Sequence, residues 1–128
     1  MSDQTPRVRR QAIPDTAHLI VRGDEDPQVQ ERMARVFLRR YQTWGRYGLS
    51  AYHASGDLEV DQLCRVELLR FPFVVVLSRA ALEEAVEIVP TGHRPHVTLI
   101  SADLDGLLAA VAASTERRAN PYHVGERS

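Results

Sequence analysis

The chain has 128 residues, 44% of them apolar, and 16 basic against 17 acidic side chains give a net charge of −1. That length suits one domain with its own core, and the balanced charge excludes a global field drawing the protein to nucleic acid or an anionic membrane. Every basic residue is arginine, and the single cysteine, Cys64, excludes an internal disulfide and fits a reducing compartment. No apolar run approaches the roughly 18 residues of a membrane span, and no hydrophobic segment follows the charges of "MSDQTPRVRRQ". These features predict a soluble, cytoplasmic protein with no membrane contact.

Residues 1–15 are polar, hold two prolines with Arg7, Arg9 and Arg10, and read as a flexible N-terminal arm. A single α/β domain is expected over 16–115, followed by a polar C-terminal tail over 116–128. "AHLIVRG" reads as a strand closed by Gly23. Asp26-Pro27 then opens a helix, because aspartate caps exposed N–H groups and proline fits the first helical position. Val29, Met33, Val36, Phe37, Tyr41 and Trp44 recur at helical spacing and predict its buried face, with an end near Gly45.

"YGLSAYHA" follows as a second strand and "GDLEVDQLCRVELLRF" as a second helix, opened by Ser55 or Asp57. The continuous apolar run in "FPFVVVLS" predicts a strand covered on both faces and central to a sheet. Ser78 caps a short helix, "RAALEEA"; "VEIVP" and "PHVTLIS" form a strand pair around "TGHR"; and Asp103 starts a last helix. The expected architecture is an α/β or α+β domain with a mixed sheet of about five strands and about four helices.

Residues i and i+2 of a strand share a face, so His96 and Thr98 point one way and Val97 and Leu99 the other. The same alternation groups His18 with Ile20 and Arg22, and separates Leu49, Ala51 and His53 from Ser50 and Tyr52. Where the strands are neighbours and their histidine faces agree, His18, His53 and His96 converge with Arg22 and Thr98. Two histidines near neutral pKa can serve as base and acid on a phosphoester, while hydroxyl and guanidinium groups hold its oxygens. Each histidine alone also fits a packed strand.

"PHVTL" resembles the His-x-Thr-apolar motif of the two-histidine phosphoesterases, a family that includes RNA cyclic phosphodiesterases. The resemblance implies His96 as a proton-transfer residue and Thr98 as a phosphate contact. It makes "HAS" the second motif, with His53 the partner and Ser55 the second hydroxyl, although Gly56 follows where that family has an apolar residue. "RYGLSAYHAS" in turn resembles the ADP-ribosyltransferase strand in which a tyrosine stacks on nicotinamide. That likeness implies NAD as cofactor, Tyr52 as the stacking residue, His18 on its ribose and Glu87 as the acid.

Arg32, Arg35, Arg39 and Arg46, with Arg40 on the flank, form an arginine stripe opposite the apolar face of the first helix. It suits RNA, DNA or an acidic protein partner, or a solvated face paired with Glu31 and other acids. No dinucleotide-binding or phosphate-binding glycine loop, zinc-type cysteine pair or His-Glu-x-x-His is present, and no metal is expected. The leading expectation is a small phosphoester-acting enzyme on RNA or a nucleotide, toxin-like or nucleic-acid processing, without a cofactor. His53 and His96 are its acid and base, and Thr98, Ser55, Arg22 and His18 contact the substrate. An NAD-using transferase and a non-enzymatic binding module are the alternatives, and oligomeric state stays open.

Overall fold

The computed structural model describes residues 12–113 and 116–123. The strands are β1 (Leu19–Gly23), β2 (Tyr47–Ala54), β3 (Phe73–Ser78), β4 (Glu87–Pro90), β5 (His96–Ser101) and β6 (Glu116–Ala119). These six form one sheet in the order β4-β5-β2-β1-β3-β6, with every neighbouring pair antiparallel. Four helices connect them: α1 (Pro27–Arg40), α2 (Asp57–Arg65), α3 (Arg79–Glu83) and α4 (Leu104–Ala112). The α and β elements are those the sequence predicts, with one strand more and a sheet that is antiparallel where a mixed one is expected. A strand-helix-strand pattern in sequence does not by itself fix strand direction.

Strand alternation sends alternate side chains into two cores. Ile20, Leu49, Ala51, Leu77, Val97 and Leu99 pack with Ala34 of α1, Leu82 of α3 and Leu107 and Val111 of α4. On the opposite face Val21, Ala54, Val74 and Val76 pack with Val60, Leu63 and Cys64 of α2. The unbroken apolar run of β3 is thereby explained, since its residues feed both cores in turn.

Local chemistry sets the boundaries. The Gln28 N–H donates to the Asp26 carboxylate at 2.8 Å with Pro27 opening α1, and the Ala81 N–H donates to the Ser78 hydroxyl at 3.3 Å at the start of α3. α1 ends at Arg40, and a 3-10 turn over Gln42–Trp44 closes on Gly45 at φ 64°, a left-handed conformation that glycine adopts without a Cβ clash.

The domain is longer at both ends than the composition predicts. Ile13 is buried in the first core, and Arg79 donates to the Pro14 carbonyl at 2.9 Å and that of Ala17 at 3.2 Å, so residues placed in the expected arm belong to the fold. Arg7, Arg9 and Arg10 lie outside the described residues. Residues 116–119, expected in a surface tail, instead pair with β3 as an edge strand. An edge strand is held by its backbone ladder and needs no apolar pattern to announce it. Beyond it, the Asn120 side-chain amide donates to the carbonyls of Cys64 and Leu68, both at 3.0 Å, tying the end of α2 to the sheet. Among the described residues no helix is long and apolar enough to cross a membrane.

Candidate functional site

The register of β2 against β5 decides which histidines meet. Tyr52 lies directly opposite His96, and Ser50 opposite Thr98. The Tyr52 and His96 rings touch edge to face, centroids 5.2 Å apart with planes at 83°. His53, next to Tyr52, must project to the other face, where it is registered with Ile20 of β1 and is buried. The expected meeting of His53 and His96 does not occur: alternation gives each strand a histidine face, but the register sets the faces one residue out of step. His18 is exposed just before β1, and Ser55 is exposed just beyond β2, its N–H donating to Glu59 at 2.8 Å.

His96 is held by a short polar chain. Its Nδ1 lies 3.1 Å from the Thr91 carbonyl and 2.9 Å from the Thr91 hydroxyl, which lies 2.7 Å from the Thr98 hydroxyl. A carbonyl only accepts, so this contact places the proton on Nδ1 and leaves Nε2 with the lone pair in the neutral ring. Burial lowers the His96 pKa below its ordinary 6.5, against the weaker upward pull of the Thr91 carbonyl. Thr98 is 4% exposed, so its hydroxyl serves this chain and the orientation of His96, not a phosphate as expected from the motif.

A cleft opens on the other side of Tyr52. The β1–β2 register ends at Val21 opposite Tyr52, whereas β1 continues to Gly23 along β3 and β2 runs from Tyr47 along β5. The two strands part, and Arg22 fills the gap with 4% exposure. Its guanidinium donates to the Ser50 carbonyl, to Gln30 at 2.8 Å and to Glu25 at 3.3 Å, and among the described residues its Nε has no partner. Burial lowers its pKa most strongly and the Glu25 carboxylate opposes the change; a guanidinium starts high enough to stay charged.

The cleft has a volume of about 260 Å³. Met33, Val36, Phe37, Arg40 and Tyr41 of α1 and its end form one wall, Glu67, Arg70 and Phe71 of the α2–β3 connection another, and Tyr52 lies between. The α1 stripe read from sequence as core therefore lines an opening; Ala34 is the α1 residue that is buried, and Met33 is 48% exposed. Two glycines let the aromatic walls approach. A Cβ at Gly48 would lie 2.6 Å from the Phe37 ring, and one at Gly23 would collide with Phe71. Burial raises the Tyr52 pKa, with Glu67 adding to the rise and Arg70 opposing it, so its phenol stays protonated.

Two further cavities hold other predicted residues. One of about 340 Å³ is lined by Thr16, His53, Ser55, Glu59, Glu67 and Arg94 among others, so His53 and Ser55 do share a neighbourhood, apart from His96. The other, about 490 Å³, runs along α1 beside Arg32, Arg35, Arg39 and Tyr47. Arg46 leaves the expected stripe because the helix has already ended, and it pairs with Glu87 at 2.6 Å.

Sequence reasoning missed Thr91, Glu67, Arg70 and Phe71 as site residues. Arg40 had a visible signal, its place on the flank of the arginine stripe; the α2–β3 connection had none. Among the described residues no group of three or more His, Cys, Asp and Glu is arranged to hold a metal. No family model matches the sequence, and no curated protein or solved structure matches it significantly.

Proposed function

We propose that this protein acts on a phosphoester of RNA or of a nucleotide, with His96 as proton acceptor on one side of Tyr52 and the cleft on its other side as the seat of a neighbouring nucleotide unit. The observation that carries this reading is the position of Tyr52, whose ring contacts His96 and also lines the cleft holding Arg22, Arg40 and Arg70. A neutral histidine next to a phenol kept protonated is a pair whose environments drive the two groups to opposite roles. On RNA, His96 Nε2 takes the proton of the 2′-hydroxyl, the 2′-oxygen attacks phosphorus and the bond to the 5′-oxygen breaks. The departing oxygen takes a proton, for which Tyr52 is the donor at hand, and the guanidinium groups of the cleft hold the adjoining nucleotide unit in place. A buried Cys64 thiol, whose pKa burial raises, suits the reducing cytoplasm proposed for the protein.

The test is RNA cleavage followed by separation of products, with wild type, His96→Ala and Tyr52→Phe compared at neutral pH. Cleavage lost in His96→Ala and reduced in Tyr52→Phe supports the reading; equal activity in all three removes it.

A second reading is a binding module, favoured by the groove beside Arg32, Arg35 and Arg39, which suits RNA or an acidic protein. The NAD-using alternative also centres on Tyr52, but a cleft of about 260 Å³ is smaller than the ~300–1,000 Å³ typical of drug-sized ligands and is tight for two linked nucleotides.

A further inference from the structure

The cleft holds five charged side chains, Arg22, Arg40 and Arg70 against Glu25 and Glu67, leaving one net positive charge. The three arginines are not equivalent. Arg40 and Arg70 are exposed and lie over the rings of Tyr41 and Phe71, at 5.4 and 4.6 Å from the centroids, while Arg22 is buried. A buried guanidinium is stable only when its donors are met, and a carboxylate or phosphate satisfies it best through two parallel bonds of about 2.7–2.9 Å. The Ser50 carbonyl and Gln30 take two of the Arg22 donors, Glu25 offers one oxygen at 3.3 Å, and among the described residues Arg22 Nε has no partner. Glu25 is 20% exposed and sits in the short connection between β1 and α1, so its carboxylate can swing away without disturbing a strand or a helix.

We infer that Glu25 is a displaceable cover on an anion seat: its carboxylate holds the place on Arg22 that the phosphate of a single nucleotide unit takes, with the base between the aromatic walls. The inference rests on the phosphoester reading of the same cleft and narrows its substrate. With Glu25 swung out, three arginines against Glu67 leave two net positive charges, which match the charge of about −1.5 to −2 on one phosphate monoester; a triphosphate brings more charge and bulk than the cleft offers. Phe37, Tyr41, Tyr52 and Phe71 line the cleft and supply aromatic surface for the base, a sequence-tolerant mode of holding it.

The deciding variant is Glu25→Gln, which keeps an acceptor for Arg22 while removing the competing charge. Calorimetric titration of the full chain with uridine 3′-monophosphate, inorganic phosphate and ATP at fixed ionic strength is the measurement. The monophosphate should bind wild type, and bind Glu25→Gln about fivefold more tightly, the effect of removing one like charge about 4 Å away in a watery cleft. Affinity unchanged or weakened in Glu25→Gln overturns the cover. ATP binding better than the monophosphate overturns the single-phosphate class, and absence of monophosphate binding to both proteins overturns the seat itself. RNA cleavage that depends on His96, together with unchanged Glu25→Gln affinity, would remove the cover and leave the phosphoester reading standing. Tighter monophosphate binding without turnover of any phosphoester would keep the seat and remove the catalytic reading.

Discussion

Tyr52 faces His96 across the β2–β5 ladder with ring centroids 5.2 Å apart, and the register that brings them together turns His53 to the opposite face. The two histidines should therefore fail in different ways. His96→Ala should lower RNA turnover by about 100- to 10,000-fold, the range for removal of a general base, while the circular dichroism spectrum stays that of the wild type. His53→Ala, in a buried site, should cost about 0.5–3 kcal/mol of stability and leave the activity of the folded fraction unchanged. Steady-state kinetics paired with urea melts separates the two, and a loss of turnover in a fully folded His53→Ala would contradict the division of roles.

His96 also makes stability depend on pH in a defined direction. Burial holds its folded pKa below the ordinary 6.5, so between those two values the unfolded chain binds the extra proton and the folded chain does not. Stability should then fall as pH drops below about 6.5 and stop responding to this group below its folded pKa. Urea midpoints at pH 7.5, 6.5 and 5.5 in wild type and His96→Gln provide the check. The variant should show the shallower decline, and parallel curves would mean that His96 is not the group titrating.

What could be read from the sequence was whatever depends on neighbours along the chain. Asp26-Pro27 marks the start of α1, Ser78 that of α3, and the alternation in β2 and β5 sorts their side chains into faces, because caps and pleats are local. Whether Tyr52 or His53 stands opposite His96 depends on the pairing of strands more than 40 residues apart, a one-residue choice that no local pattern carries. The cleft was hidden for the same reason. The apolar spacing of Met33, Val36 and Phe37 looks identical whether the opposing surface is closed or, where β1 parts from β2, open. Arg22 was visible as a polar residue in an apolar strand, but its place in the gap follows only from that parting.

The glycines on the cleft walls give a test of its shape that avoids the charged groups. At Gly48 a methyl group would stand 2.6 Å from the Phe37 ring, closer than packed carbons allow, so Phe37 must move. Gly48→Ala should destabilise the fold by about 1–3 kcal/mol, the usual cost of overpacking, and weaken nucleotide binding beyond what lost stability explains. Gly56→Ala is the control, because nothing lies within 4 Å of a Cβ built there. Binding measured well below both melting temperatures should fall for Gly48→Ala alone. Equal affinity in the two variants would place the ligand away from the Phe37 wall.

The groove along α1 yields a prediction that turns on salt. Arg32, Arg35 and Arg39 are spaced three and four residues apart, so their side chains share one helical face within about 10 Å along the axis. Among the described residues Arg35 pairs with Glu31 at 3.1 Å, a surface pair that adds about 0.3–0.5 kcal/mol on a helix and is readily exchanged for a phosphate. Should the groove carry the strand flanking the cleft, each arginine that neutralises a phosphate releases a counterion, and log affinity falls with log salt by about 0.7 per contact on single-stranded RNA. Replacing Arg32 and Arg39 by Gln should weaken binding of a single-stranded oligonucleotide and flatten that slope by about 1.4, while leaving mononucleotide affinity in the cleft unchanged. Fluorescence anisotropy across a salt series measures both. An unchanged slope would mean that the stripe is a solvated face, and loss of mononucleotide binding as well would mean that the groove and the cleft do not act separately.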